Sequence, residues 1–238
     1  MKKLLFLCLA FFLSAGSFAQ NSYWAVYHFK VKDGHEGEVV RAMNKYFSSE
    51  ASKTLPASNF NASLFSSSKD KWTHQMVFYS DDKNDFAEMY SGKLQGQLEF
   101  QLLGSAMDHT TEGVASYLGK RVLGEPVAGN SFTTVYELSV SDPAAYVEAF
   151  TELRNAALAL GEGKIGVQLH AFLSGNELGA THAATISAPD MGTMLDFTDK
   201  LFASDAMKSF AAKAKPIRKR LRTFSTVNIN RYNLPEGM

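Results

Sequence analysis

Trp72–Tyr90, WTHQMVFYSDDKNDFAEMY, and Ala180–Thr198, ATHAATISAPDMGTMLDFT, decide how the rest of the chain is read. Both begin on a Thr-His pair, Thr73-His74 and Thr181-His182. Both continue through apolar alternation, the period of a half-buried strand. Each reaches an aspartate able to cap a helix, Asp82 or Asp190, and then takes up amphipathic helical spacing. A segment that recurs about 108 residues later marks a duplicated unit.

Working outward gives the same order of elements twice. Tyr23–Lys32 alternates as a strand, with Ala25, Tyr27, Phe29 and Val31 on one face and Trp24, Val26, His28 and Lys30 on the other. A helix follows on Val39, Val40, Met43, Tyr46 and Phe47. Then come strands at Phe60–Ser66 and Thr73–Tyr79, a helical region to Met107 broken near Gly92 or Gly96, and a strand at Val114–Val122. Gly124–Asn130 reads as a linker. The second half repeats the pattern, from a strand at Thr133–Val140 to a long helical region at Met191–Ile217, interrupted near Ser204-Asp205, and a strand at Phe224–Tyr232. Gly175-Asn176 reads as the turn between its second and third strands. Each half is β-α-β-β-α-β, the ferredoxin-like order. Such a unit has helices on one sheet face only, and two units can cover each other's bare faces. The expected fold is therefore α+β: two ferredoxin-like repeats, 21–123 and 132–233, packed sheet to sheet, with a linker at 124–131 and a tail at 234–238.

The first twenty residues stand apart. Lys2 and Lys3, the apolar run Leu4–Phe12 and the small-x-small site Ser17-Phe18-Ala19 have the form of a secretory signal peptide. The run is shorter than the ~20 residues that span a bilayer, and no later run is long enough. The expectation is a bacterial protein exported to the periplasm or beyond. Removing the leader removes Cys8, the one cysteine, so no disulfide is expected. It also removes two lysines and no acid, taking the formal charge from zero to −2. A near-neutral surface argues against nucleic acid as a partner.

Three short stretches carry a family resemblance. Val31-Lys32-Asp33-Gly34-His35-Glu36, Val77-Phe78-Tyr79-Ser80-Asp81 and Phe202–Phe210 (FASDAMKSF) resemble the antibiotic biosynthesis monooxygenase-like proteins of the dimeric α+β barrel superfamily. The resemblance implies an intrachain version of that barrel, with ligands held between sheet and helices of each repeat. The family includes cofactor-free oxygenases, haem-degrading enzymes and isomerases. Its haem-degrading pattern does not carry over. The first-strand Asn falls on Tyr27 or Tyr136, and the haem-ligating His falls near Leu103 or Ala211.

The candidate site residues are Tyr27, His28, His74, Tyr136, Glu137 and His182. His74 and His182 occupy equivalent positions and would form a metal or proton-sharing pair if the interior brought them together; otherwise they are polar residues at a sheet rim. His28 and Glu137 are equivalent on the first strands, and would shift each other's pKa if that face lines the barrel; otherwise they make a polar contact between repeats. Tyr27 and Tyr136 fall on the helix-facing side, for a ligand or for the core. The basic run Lys213, Lys215, Arg218, Lys219, Arg220 and Arg222 reads as a solvated helix end entering an edge strand. With no Gly-rich phosphate loop, no nucleophile elbow and no metal motif of diagnostic spacing, no cofactor is expected. The functional expectation is an exported binding or accessory protein for a small apolar or aromatic molecule, without turnover. The alternative is a cofactor-independent monooxygenase or isomerase.

Overall fold

The computed structural model describes residues 22–67, 69–175 and 178–234. The leader with Cys8, Asn176 of the expected turn and most of the tail lie outside the described residues. The elements in order are β1 (Tyr23–Val31), α1 (Glu36–Phe47), β2 (Ala57–Phe65), β3 (His74–Ser80), α2 (Lys83–Met89), α3 (Leu98–Thr110), β4 (Thr111–Leu123), β5 (Phe132–Val140), α4 (Pro143–Leu160), β6 (Gly166–Ser174), β7 (His182–Ala188), α5 (Met191–Ala203), α6 (Asp205–Ala214) and β8 (Arg218–Tyr232). The fold is α+β.

The eight strands close into an antiparallel barrel in the order β1-β3-β2-β8-β5-β7-β6-β4, with β4 returning to β1. Closure removes every sheet edge. Pairings β2–β8 and β4–β6 join the two halves, and both contain register shifts, at Phe60/Asn61 and Ser63/Phe65 and at Leu118/Gly119 and Arg121/Leu123. An extra residue on one strand bends it and increases its twist, which a closed barrel needs at its corners.

Strand alternation divides each strand between two environments. Ala25, Phe29 and Val31 of β1 and Met76 and Phe78 of β3 join Val39, Met43, Tyr46 and Phe47 of α1 in one outer core. Leu138 and Val140 of β5 and Val167 and Leu169 of β6 join Tyr146, Phe150 and Leu153 of α4 and Leu201 of α5 in the other. Burial of these apolar faces, at ~25 cal/mol per Å², holds the helices on the outside of the barrel. The residues between them in sequence point inward.

Helix starts follow local chemistry. The Asp82 and Asp190 side chains accept from Asn84 N and Thr193 N, each at 2.8 Å. Asp142 accepts from Ala145 N at 3.1 Å, just before Pro143. Ser204 divides the expected long helix, because its hydroxyl caps α6 by accepting from Met207 N at 3.2 Å. The basic run departs from expectation. Arg218, Lys219, Arg220 and Arg222 lie within β8 and pair with β5 there, while β2 joins the other side of β8 only from Ser225 onward.

Candidate functional site in the barrel interior

The inward-facing side chains surround a cavity of about 260 Å³. Its walls are mixed. Trp24, Tyr117, Phe172 and Phe224 supply aromatic surface, while His28, Asn61, Gln75, Glu137, Gln168 and His170 supply polar groups. A polar interior on a strand-alternating scaffold is costly unless its groups find partners. Five side-chain atoms along it, Trp24 Nε1, His28 Nδ1, Asn59 Oδ1, Asn130 Oδ1 and His170 Nδ1, have none among the described residues.

His28 is the most constrained of these groups. It is 3% exposed. Its Nε2–H donates to Gln75 Oε1 at 2.9 Å, across the β1–β3 register that sets the two residues opposite each other. The ring stacks on Trp72 with centroids 4.2 Å apart and 7° between planes. Tyr117 and Phe224 meet it edge-on. Burial lowers its pKa to about 4; the Gln75 bond opposes that shift and the Arg222 charge adds to it. The ring is therefore neutral at pH 7, with an Nδ1 lone pair free to take a proton.

His170, on β6, lines the same cavity. Burial, with the Arg121 charge, lowers its pKa to about 3. Its ring lies edge-on to Trp24 at 5.8 Å. Trp24 in turn lies over Gly119, where a Cβ would overlap the indole and stand 2.6 Å from the Ala171 carbonyl. Gly119 is what allows the indole into the barrel.

Glu137 also faces inward, but it is not a free base. Arg222 donates to it twice, Nε to Oε2 at 3.0 Å and Nη2 to Oε1 at 2.6 Å, and Arg222 Nη1 reaches Asp70 Oδ1 at 3.1 Å. The side chains of Arg222, Asp70 and Glu137 are 10%, 8% and 5% exposed. Burial works against the Arg222 charge, and the Glu137 bonds more than restore it, leaving its pKa raised. Asp70 comes from the β2–β3 turn, so the triad ties the two halves together. No His28–Glu137 hydrogen bond forms among the described residues. The expected acid–imidazole pair is replaced by an ion triad beside a neutral imidazole.

The remaining expected site residues lie outside the barrel wall. His74 Nδ1 bonds Thr73 Oγ1 at 2.9 Å, and the ring lies against Phe29 and Phe60. His182 Nδ1 bonds Thr181 Oγ1 at 2.9 Å, and its ring centroid is 6.4 Å from that of Tyr146. The two histidines therefore belong to different outer layers and do not converge. The repeated Thr-His pair has a structural use. Thr73 Oγ1 accepts from Val31 N at 2.9 Å, and Thr181 Oγ1 accepts from Val140 N at 3.0 Å. In each half the pair closes the end of the neighbouring strand. Tyr27 packs on the helix side and its hydroxyl bonds the Tyr90 hydroxyl; burial raises its pKa. Tyr136 packs against the second outer core, and burial raises its pKa too.

Sequence reasoning missed Arg222, Asp70, Trp72, Gln75 and Arg121. One signal was available for Arg222: it falls in alternation with Phe224, Thr226 and Asn228. Haem does not fit these residues. The space between sheet and helices is filled by side chains such as Phe29, Phe60, Tyr146 and Phe150, and a tetrapyrrole exceeds the barrel cavity.

No protein-family model matches the chain, and no curated protein matches it in sequence. Solved structures do resemble it. A proposed monooxygenase from Lactobacillus acidophilus NCFM aligns over 89% of this chain and 96% of its own, with a TM-score of 0.59 and 8% identity. A second proposed monooxygenase, from Fusobacterium nucleatum, aligns over 89% and 94%, with a TM-score of 0.58 and 14% identity. A haem-binding protein from Thermus thermophilus aligns over 88% and 92%, with a TM-score of 0.51 and 7% identity. Two of these neighbours are proposed monooxygenases, which counts against the expectation of a binding or accessory protein without turnover and leaves its enzymatic alternative to be taken up below. That expectation rested on the leader and on missing catalytic matches at outer-layer positions, whereas polar groups of this chain lie inside the barrel. By its strand order and these likenesses, the chain has the fold of the dimeric α+β barrel superfamily.

Proposed function

We propose that the chain is a cofactor-independent monooxygenase or isomerase that holds a small aromatic or fused-ring substrate in the barrel interior. The observation that carries this is His28: a neutral imidazole on the cavity wall, oriented through Nε2 by Gln75, with a buried Nδ1 that has no hydrogen-bond partner among the described residues. Both reactions begin by removing a proton from an activated carbon or a phenol. A positioned base typically contributes 10²–10⁴-fold to such a step. Before substrate enters, burial opposes charge on the ring. Once the proton moves, imidazolium and substrate anion form a pair in a site of low dielectric, which offsets that cost. The Gln75 carbonyl and the Trp72 face hold the ring in place throughout.

The two outcomes differ in where the carbanion goes. In the monooxygenase it adds to dioxygen and the peroxide loses water, so a ring CH₂ and O₂ become C=O and H₂O with no outside reductant. In the isomerase the proton returns to a different carbon. At about 260 Å³ the cavity lies just below the ~300–1,000 Å³ range of ligand pockets, which suits a compact ring system. Two further proposals concern the whole chain. The shared strand order, β4-β1-β3-β2 and β8-β5-β7-β6, supports two fused ferredoxin-like repeats at 21–123 and 132–233. Lys2, Lys3 and the Ser17-Phe18-Ala19 site support export with cleavage after Ala19 or Gln20.

The test uses two probes, anthrone with an oxygen electrode and a β,γ-unsaturated cyclic ketone followed by ultraviolet absorbance. One of them is turned over by the wild-type protein, and His28→Ala slows it by about 100-fold or more. Turnover of neither probe, or an unchanged rate in His28→Ala, would overturn the proposal.

A further inference from the structure

Away from the barrel interior, three side chains with metal-binding atoms converge at one corner of the first half. They are His35 in the β1–α1 turn, Glu38 in the first turn of α1 and His109 in the last turn of α3. Each offers one ligand atom, and the three atoms lie within 4.8 Å of one another. His35 Nδ1 stands 3.1 Å from Glu38 Oε2, and the two imidazole rings meet edge to face at 5.5 Å. We propose that His35, Glu38 and His109 bind a divalent transition-metal ion, zinc first among them, which staples α3 to the β1–α1 corner.

Three arguments support this site. The first is geometric. Ligand atoms on a tetrahedral zinc at ~2.0–2.1 Å stand about 3.3 Å apart, so the present spacing closes onto an ion by small side-chain rotations. Glu38 and His109 are exposed and His35 is half-buried, which leaves the outer side open to the ion and to a fourth, water ligand. The second is chemical. Two imidazoles with one carboxylate suit zinc, copper or nickel, and do not suit calcium or magnesium, which take oxygen ligands.

The third concerns the backbone. Lys32 Nζ donates to the His109 carbonyl at 2.7 Å, and Lys32 N donates to the Thr110 carbonyl at 2.9 Å. The turn carrying His35 and the helix end carrying His109 are thus already fixed against each other. Side-chain packing of α3 comes from Phe100, Leu103 and Met107, which lie against the outer core, with Phe100 edge-on to Tyr46, while Leu98 and Leu102 lie exposed. A metal at the helix end would add a side-chain tie to the Lys32 hydrogen bonds. His35 and His109 are 74 residues apart in sequence, so no spacing motif could have announced the site.

The proposal does not depend on the catalytic reading and is tested without an activity assay. Chelator-treated full-length protein, prepared without a histidine tag, is titrated with cobalt(II) and, by calorimetry, with zinc(II). The expected result is one saturable equivalent with a tetrahedral cobalt spectrum. His109→Ala and Glu38→Ala, both at exposed positions, each weaken binding at least tenfold while circular dichroism stays unchanged. Zinc also slows amide exchange across Leu98–Thr110. No saturable cobalt spectrum, or one unaffected by His109→Ala, would overturn the site. Binding that leaves α3 exchange unchanged would overturn the stapling role.

Discussion

His28 shows how one side chain takes its properties from the barrel. The same burial that leaves Nδ1 free also fixes the sign of its pH effect. Its pKa is depressed on folding, from 6.5 to about 4, so between those values the unfolded chain binds a proton that the folded chain refuses. Stability is thus fully present above pH 6.5 and is lost as pH falls toward 4, and the His28 share is on the order of 3 kcal/mol. His170 acts with the same sign down to about pH 3. Thermal melts of wild type and His28→Gln at pH 7 and pH 4.5 check this: the wild type loses more stability on acidification. Equal losses would mean that the imidazole is not held neutral. Gly119 is the other residue set by the interior. Gly119→Ala would drive a methyl into the Trp24 indole and close to the Ala171 backbone. It is expected to cost about 1–3 kcal/mol in chemical denaturation and to shift tryptophan emission.

At the scale of elements, much was legible because strand alternation is local. Trp24, Val26 and His28 fall on one face of β1 and Ala25, Tyr27 and Phe29 on the other, and that division separates cavity from outer core. The equivalence of His28 and Glu137 was legible for the same reason, and both do face inward. What each side chain meets there was not legible. Asp70 and Arg222 are 152 positions apart, and their contact depends on the β2–β8 seam. The run from Lys213 to Arg222 reads as solvated because charge usually is. Arg222 departs from that rule because β8 begins earlier than its apolar pattern and carries the arginine under Phe224. The Thr-His echo misleads in the opposite direction. A repeated polar pair looks like chemistry, yet each Thr caps a strand end and each His satisfies the Thr. Their shared place at the start of β3 and β7 serves the ends of the neighbouring strands.

For the molecule as a whole, the eight strands close around a single interior. The Asp70–Arg222–Glu137 triad is the polar tie across it, buried where removing one partner strands a charge. Arg222→Ala is therefore expected to cost about 3–5 kcal/mol in urea unfolding, since Asp70 and Glu137 would both lose their buried cation. A loss below about 1 kcal/mol would mean that water reaches the two carboxylates. The same closure sets the functional claim apart from the family pattern stated earlier. The resemblance puts ligands between sheet and helices, where this chain has packed side chains; the barrel interior instead offers a cavity with free nitrogen atoms.

Two adjacent residues separate these locations. Val26 faces the cavity, and Tyr27, the next residue along β1, faces the helices. The chain has two tryptophans, Trp24 on the cavity wall and Trp72 stacked on His28, so its intrinsic emission reports on the interior. The deciding measurement is an anthrone titration followed by tryptophan emission in wild type, Val26→Phe and Tyr27→Phe, with folding of each checked by circular dichroism. The interior site predicts saturable quenching in wild type and Tyr27→Phe and its loss in Val26→Phe. Quenching that survives Val26→Phe and disappears in Tyr27→Phe would contradict it.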